Sequence, residues 1–249
     1  MTEIFHTLFY QPLMNILIFL YQVIPGGDFG IAIIILTILI RLLLYPLSAK
    51  GIKSQRAIAE LQPEIKELQK KYKDDKEKQV KEILDVYKRA KVNPFSGFMP
   101  LLVQLPVLIA LYQILWVVQG GEFANVLYGF ISSPGEINSV FLGFIDLAKV
   151  GVFEADGGVF LFGNMLIITG AGLAQFFQMK MVQKLQPKKK KGKSDPRMDM
   201  AEKIQNQMVY FFPFFTIFIL FGMPLAIGLY WLVSTLFSII QQHFILNKL

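Results

Sequence analysis

The chain contains no cysteine. Disulfides, thiolate nucleophiles, iron–sulfur ligation and cysteine-borne lipid anchors are therefore excluded from its 249 residues. Histidine is nearly absent too. His6 and His243 stand at opposite ends of the chain, which offers no histidine-based zinc site. Charge is scarce: 17% of residues are Asp, Glu, Lys or Arg, where a soluble domain carries about 25%. Hydrophobic residues make up 54%, and the mean hydropathy is +0.48. This composition points to lipid rather than water as the main solvent. The remaining charge is lopsided, 25 basic residues against 18 acidic for a net +7. In a membrane protein the positions of the basic residues report orientation.

A transmembrane helix needs about 20 mostly apolar residues. Residues 28–47, 98–119 and 159–180 each meet that requirement. The tract from 208 to 246 is too long for one span, and Gly222-Met223-Pro224 is a turn signal near its middle. It divides into 208–222 and 223–246, so the pattern predicts an all-α membrane protein of five spans. The strongly apolar stretch of the fourth span, 208–221, is only 14 residues long, about 21 Å of helix. Either it begins earlier, within 204–207, or the bilayer thins around it. Residues 1–27 differ. Glu3, Thr7, Gln11 and Asn15 recur every four positions, opposite Ile4, Leu8, Phe9, Leu13, Ile16, Leu17 and Leu20. That spacing predicts an amphipathic helix lying in the extracytoplasmic interface. The alternative is a short sixth span over 12–24. The segment has no Lys or Arg, so it lacks the basic start of a signal peptide.

Thirteen of the basic residues fall in 48–97, nine in 180–207, and Lys248 lies in the 247–249 tail. Arg41 sits inside a span. The N-terminal segment, the 120–158 loop and the 222–224 turn hold Lys149 alone, against seven acids. Positive charge stays inside. The N-terminus and 120–158 are therefore expected outside, and 48–97, 181–207 and the C-terminus in the cytoplasm. Within 48–97, Leu61, Ile65, Leu68 and Tyr72, then Val80, Ile83, Leu84 and Tyr87, follow helical spacing on either side of Asp74-Asp75. An antiparallel helical hairpin with an apolar seam is expected, kinked or restarted at Pro63; a solvated linker is the alternative. The Pro-, Lys- and Ser-rich stretch 186–200, with Lys188 to Lys191 consecutive, reads as a flexible basic loop able to touch anionic lipid or RNA phosphates.

The polar residues inside the spans share a depth. At 1.5 Å per residue, Arg41 and Gln104 lie about 9 Å from the cytoplasmic ends of their spans, Gln175 and Gln241 about 7 Å, and Thr216 and Ser238 about 12 Å. Gln113 is the exception, in the outer half. Arginine at a helix centre costs about 2.5–3.5 kcal/mol, so intramembrane charge usually faces a bundle interior or water. The shared layer predicts a hydrated cavity open to the cytoplasm. The alternatives are a snorkelling Arg41 and glutamines that merely bond between helices. The layer holds no carboxylate or histidine, so no catalytic residue, metal site or cofactor site is expected. A small-solute transporter or channel is the rival reading, but no long internal repeat of the kind common in transporters is present.

Four stretches then resemble the YidC/Oxa/Alb family of membrane protein insertases. They are Ile38-Leu39-Ile40-Arg41-Leu42-Leu43-Leu44-Tyr45-Pro46-Leu47; Leu61-Gln62-Pro63-Glu64-Ile65-Lys66-Glu67-Leu68 with Lys71-Tyr72-Lys73-Asp74-Asp75; Val92-Asn93-Pro94 with Met99-Pro100-Leu101-Leu102-Val103-Gln104-Leu105-Pro106; and Gly228-Leu229-Tyr230-Trp231-Leu232-Val233-Ser234 with Ile239-Ile240-Gln241-Gln242. The resemblance covers nearly the whole chain. It implies five helices around a hydrophilic groove open to cytoplasm and lipid, and insertion of newly made membrane proteins without ATP. It implies that Arg41 is the groove's positive charge, with Thr37 one turn away. Gln104, Gln175 and Trp231 fall at groove or client-contact positions, Gln178 being a near competitor for Gln175. Nascent membrane proteins and the bilayer are the implied partners of a bacterial plasma-membrane protein, with the Sec translocon and the ribosome as further candidates and no specific DNA. The sequence departs from some members in having no large extracytoplasmic β domain, no lipoprotein cysteine and no long basic tail after Gln242, so that any ribosome docking is expected to fall to the 48–97 hairpin and the lysine loop.

Overall fold

A computed structural model describes residues 2–93, 99–120, 124–153, 161–185 and 196–247. Side chains are described for 3–93, 104–118, 120, 125–153, 161–185 and 207–247. Nine α-helices are described: α1 (Thr2–Phe5), α2 (Gln11–Val23), α3 (Phe29–Leu43), α4 (Tyr45–Lys71), α5 (Lys76–Arg89), α6 (Met99–Gly120), α7 (Phe162–Lys184), α8 (Pro196–Phe221) and α9 (Leu225–Asn247). A π-helical turn, His6–Tyr10, joins α1 to α2.

α9 is the hub, packing on α7, α3 and α4, while α7 also carries α8. The reason is its apolar content on several faces. Leu225, Ala226, Ile227, Leu229 and Tyr230 are all buried in one cluster with Leu36 and Ile40 of α3, Ile114 of α6 and Ile168 of α7. A helix apolar all round can be held on more than one side.

Three helices among the described residues are long and apolar enough to cross a bilayer alone: Glu3–Val23, Phe162–Lys184 and Leu225–Asn247. α3 and α4 form a further candidate as a bent pair, with a 63° break at Leu44, and Gln104–Val118 and Gln207–Phe221 are shorter apolar stretches. The chain is thus a multi-pass, mainly helical membrane protein. The N-terminal helix is longer than the 12–24 stretch weighed as a short span. The break at Leu44 falls just before Pro46, which lacks the N–H that a continuous helix would need. Pro63, by contrast, lies within an uninterrupted α4.

The stretch 181–207 was expected to be a loop. α7 instead continues to Lys184 and α8 already begins at Pro196. Proline is favourable in the first helical turn, where its missing N–H has no partner to lose. The Lys188–Lys191 run lies outside the described residues.

Between α6 and α7 the chain folds over one end of the bundle. Val140–Phe141 and Ile145–Asp146 pair as an antiparallel ribbon seated directly on α3. A Cβ at Gly30 would stand 2.2 Å from a Phe141 ring carbon, so only glycine admits that contact. Asp28 ties the two together: its Oδ1 accepts from Ile31 N at 3.0 Å, capping α3, and its Oδ2 accepts from Leu142 N at 2.8 Å. The same loop caps α9, because Leu225 N and Ala226 N donate to the carbonyls of Lys149 and Leu147, each at 3.0 Å.

α5 folds back along α4. Gln79 is buried and donates to the carbonyls of Gln69 (2.8 Å) and Tyr72 (3.2 Å), and Arg89 meets Glu64 at 3.2 Å. The buried face keeps Ile65, buried, and Leu61, Leu68, Tyr72, Ile83 and Tyr87, half-buried, from the expected seam, and differs from it at two positions. Ile65 and Val86 are buried, but Val80 and Leu84 are 56% and 45% exposed. The sequence of α5 carries two overlapping apolar stripes, and Gln79, able to close the turn by hydrogen bonds, selects the Gln79–Ile83–Val86 side. Burial pushes the Tyr87 phenol above its ordinary pKa. Val86→Asp is expected to loosen the pair, since it would bury an unpaired carboxylate at a cost of several kcal/mol. Val80→Asp should leave it intact. Amide exchange over 76–89 distinguishes them: faster exchange in the first variant only is the expected pattern, and equal exchange in both would place the seam elsewhere.

Candidate functional site

Arg41 lies in the last turn of α3, on the side that faces α9 and α6. Its Nε donates to Ser234 Oγ at 2.8 Å, and its Nη2 donates to Gln104 Oε1 at 2.6 Å and to the same Ser234 hydroxyl. Gln104 passes the interaction on, its Nε2 donating to the Tyr230 hydroxyl at 2.6 Å. One guanidinium thereby joins three helices, and Nη1 takes no part in these bonds. This is an arginine-specific arrangement, because a planar fork with several N–H donors can engage two partners while one edge stays directed elsewhere.

The surroundings explain why the network forms. Tyr230 and Ser234 are 2% and 1% exposed, so their hydroxyls need partners in the protein. Among the described residues no buried side-chain nitrogen or oxygen lacks a hydrogen bond. Arg41 itself is half-buried. Its Nε and Nη2 are engaged by side chains of two neighbouring helices.

The other expected residues divide. Gln175 on α7 accepts at Oε1 from Trp231 Nε1 at 3.3 Å, a second polar pair on α9 beside the first, since Trp231 follows Tyr230. Thr37 is buried, but its hydroxyl donates to Ile33 O at 2.6 Å within its own helix. Of the rest of the polar layer, Gln241 donates to Tyr45 O at 3.2 Å across the α3–α4 break, Ser238 donates to Ser234 O at 2.9 Å, and Thr216 is buried on α8. Tyr230 and Ser234 complete the Arg41 network and were not among the residues singled out from sequence. Their signal was present: Tyr230, Ser234 and Ser238 recur at intervals of four along α9, one polar stripe on an apolar helix.

The network supplies a prediction. Gln104→Leu removes one acceptor from Arg41 and leaves the Tyr230 hydroxyl without its donor, at an expected cost of about 1–3 kcal/mol. In a double-mutant cycle with Tyr230→Phe, thermal unfolding in detergent should show a coupling of about 0.5–3 kcal/mol. Additive losses would mean that the two side chains do not act together.

The chemistry available is cation presentation and hydrogen bonding. No group of three or more His, Cys, Asp or Glu that could hold a metal occurs among the described residues.

The sequence model of the 60Kd inner membrane protein family matches residues 14–249. A protein of Fusobacterium nucleatum named membrane protein insertase YidC is 35% identical over 222 residues, covering 89% of this chain and 88% of that one. Proteins of the same name from Chlamydia caviae and Beijerinckia indica are 34% and 32% identical over 88% and 96% of this chain. The chain spans only 25% and 37% of their lengths. Among solved structures, an active YidC insertase with its first transmembrane domain resolved matches with a TM-score of 0.56 and 26% identity, over 95% of this chain and 45% of that one. The chain therefore belongs to the 60Kd inner membrane protein family, that of the YidC membrane protein insertases.

Proposed function

We propose that this protein inserts newly made membrane proteins into the bilayer and helps them fold, without hydrolysing a nucleotide. The observation that carries this reading is Arg41, a cation among apolar helices tied to Ser234 and Gln104 through Nε and Nη2, with Nη1 outside those bonds. In this reading α3, α6, α7, α8 and α9 surround a hydrated groove open to cytoplasm and lipid. Gln104, Gln175 and Trp231 contribute to its wall, Thr37 stands one turn behind Arg41 on α3, and Arg41 supplies its charge.

The mechanism follows from solvation. Moving a polar tail across about 30 Å of hydrocarbon is costly, and a water-filled groove shortens that path. Attraction to Arg41 offsets part of the desolvation of an acidic tail. The client's apolar segment then leaves sideways into lipid, favoured by about 25 cal/mol for each Å² of apolar surface withdrawn from water. No covalent bond is made or broken.

Orientation is part of the proposal. The N-terminus lies outside, α4, α5 and the basic 181–207 stretch lie on the cytoplasmic side, and the C-terminus is cytoplasmic. The N-terminal helix lies along the outer surface. Its hydrogen bonds to the α6–α7 loop support this: Gln11 and Asn15 donate to Val126 O, Gln22 donates to Ser132 O, and the Tyr21 hydroxyl accepts from Asn138 N. These contacts run from residue 11 to residue 22, about 16 Å of helix held against one end of the bundle. The Sec translocon and the ribosome are proposed partners on the two membrane-facing and cytoplasmic sides.

The direct test is reconstitution. Vesicles holding the purified chain should insert a single-span client without added nucleotide, measured as protease protection of its translocated tail. Protection no greater than in protein-free vesicles would overturn the reading.

A further inference from the structure

At the other end of α6 from Gln104 lies a feature outside the proposed groove. An open crevice of about 500 Å³ lies beside the contact between the N-terminal helix and the distal half of α6, lined by His6, Tyr10, Tyr112, Gln113, Trp116 and Val126. Trp116 lies about 18 Å along the helix from Gln104. This is where Gln113, the residue outside the shared polar depth, finds its place. Tyr112 and Trp116 remain 39% and 59% exposed, with their rings edge to face at 6.2 Å. Across the gap the His6 and Tyr10 rings lie 4.8 Å apart on the π-helical turn, a helix distortion found frequently at functional sites.

The lining is apolar in body and polar at the tips. It offers an imidazole, two phenols, a carboxamide and an indole N–H, and the lining residues include no carboxylate. Such a set is rich in donors and suits a ligand whose polar part is acceptor-only, such as a phosphodiester. The occupant is set by continuity: exposed Leu105, Ile109, Tyr112 and Trp116 follow helical spacing along one face of α6, the face that meets lipid in the proposed insertion. Trp and Tyr concentrate at headgroup level in membrane proteins. We propose that this crevice holds one phospholipid. Its phosphodiester is met by Gln113, Trp116 and the His6–Tyr10 turn, and its acyl chains run along α6 toward the bilayer centre. The lipid would wedge the N-terminal helix against α6 and is a fixed component of that contact.

The test uses the full chain in detergent, stripped of lipid and titrated with dioleoyl phosphatidylglycerol, followed by native mass spectrometry. Parallel titrations use dioleoyl phosphatidylcholine, which shares the phosphodiester, and dioleoylglycerol, which lacks it. Inorganic phosphate serves as a competitor. Expected is one first lipid of either phospholipid bound about tenfold more tightly than later ones, with dioleoylglycerol weaker by a similar factor. The Gln113→Leu/Trp116→Phe double variant should lose that first-lipid advantage. Both residues are exposed, and both changes keep most of the side-chain volume while removing the polar tip. Phe218→Leu, on the exposed face of α8, should keep it. Evenly graded binding, equal binding of dioleoylglycerol, displacement of the lipid by inorganic phosphate, or an unchanged double variant would each overturn the proposal.

Discussion

Arg41→Ala is expected to lose insertion of clients with acidic translocated tails by about tenfold or more, and Arg41→Glu to lose still more. Two unit charges 4 Å apart attract by about 1 kcal/mol in water and about 4 kcal/mol at an effective dielectric of about 20. A factor of ten corresponds to about 1.4 kcal/mol, so even a well-hydrated groove is close to that loss. Glutamate repels the tail as well as failing to attract it. Arg41→Lys separates two roles that the geometry combines. From sequence, a lysine would serve, because a point charge suffices in water. In the structure Arg41 also bridges Ser234 on α9 and Gln104 on α6, and a lysine ammonium lacks the planar fork that engages both. The lysine variant should keep the preference for acidic tails and lower the thermal stability of the purified protein. Loss of the preference with stability unchanged would assign Arg41 a hydrogen-bonding rather than a charge role.

The second large effect is all-or-none. The chain has no native cysteine, so single cysteines report topology without background. Ser133 is exposed on the α6–α7 loop and Lys81 is exposed on α5. Ser133→Cys should react fully with a membrane-impermeant maleimide on intact cells. Lys81→Cys and Ser194→Cys should react only after permeabilisation. The expectation rests on thirteen basic residues in 48–97 and nine in 180–207, against Lys149 alone in the opposing segments. Labelling of Lys81→Cys in intact cells would invert the proposed orientation.

How much of the site could be read from the sequence depended on which physical quantity a residue expresses. Arg41 and Gln104 were legible because charge and amide groups are costly in hydrocarbon, and their common depth pointed to a meeting. Tyr230 and Ser234 were harder to read. A tyrosine or a serine inside an apolar helix costs little, and what matters for it is the face it occupies, not its depth. Thr37 shows the converse. It has the right depth and burial, yet its hydroxyl is satisfied by Ile33 O in its own helix, a bond that depth cannot distinguish from a contact across the bundle. The same ambiguity of face moved the α5 seam from Val80 and Leu84 to Gln79 and Val86. Helix ends were legible where a breaker is strong, as at Gly222-Met223-Pro224. They were not legible where polar sequence continues a helix, as from Pro196 into α8. The π-helical turn at His6–Tyr10 left no composition signal, since its residues also fit the helical period of their neighbours.

The attraction between Arg41 and an acidic tail is tested most directly by a pair of clients that differ only in the charge of the translocated tail. Both are inserted into vesicles holding wild-type protein or Arg41→Ala at matched protein levels, and tail protection is measured. The account predicts that the acidic-tailed client loses about tenfold with Arg41→Ala while its neutral twin loses much less. Equal loss for the two clients would contradict the account and leave Arg41 as the hydrogen-bonded tie between α3, α6 and α9.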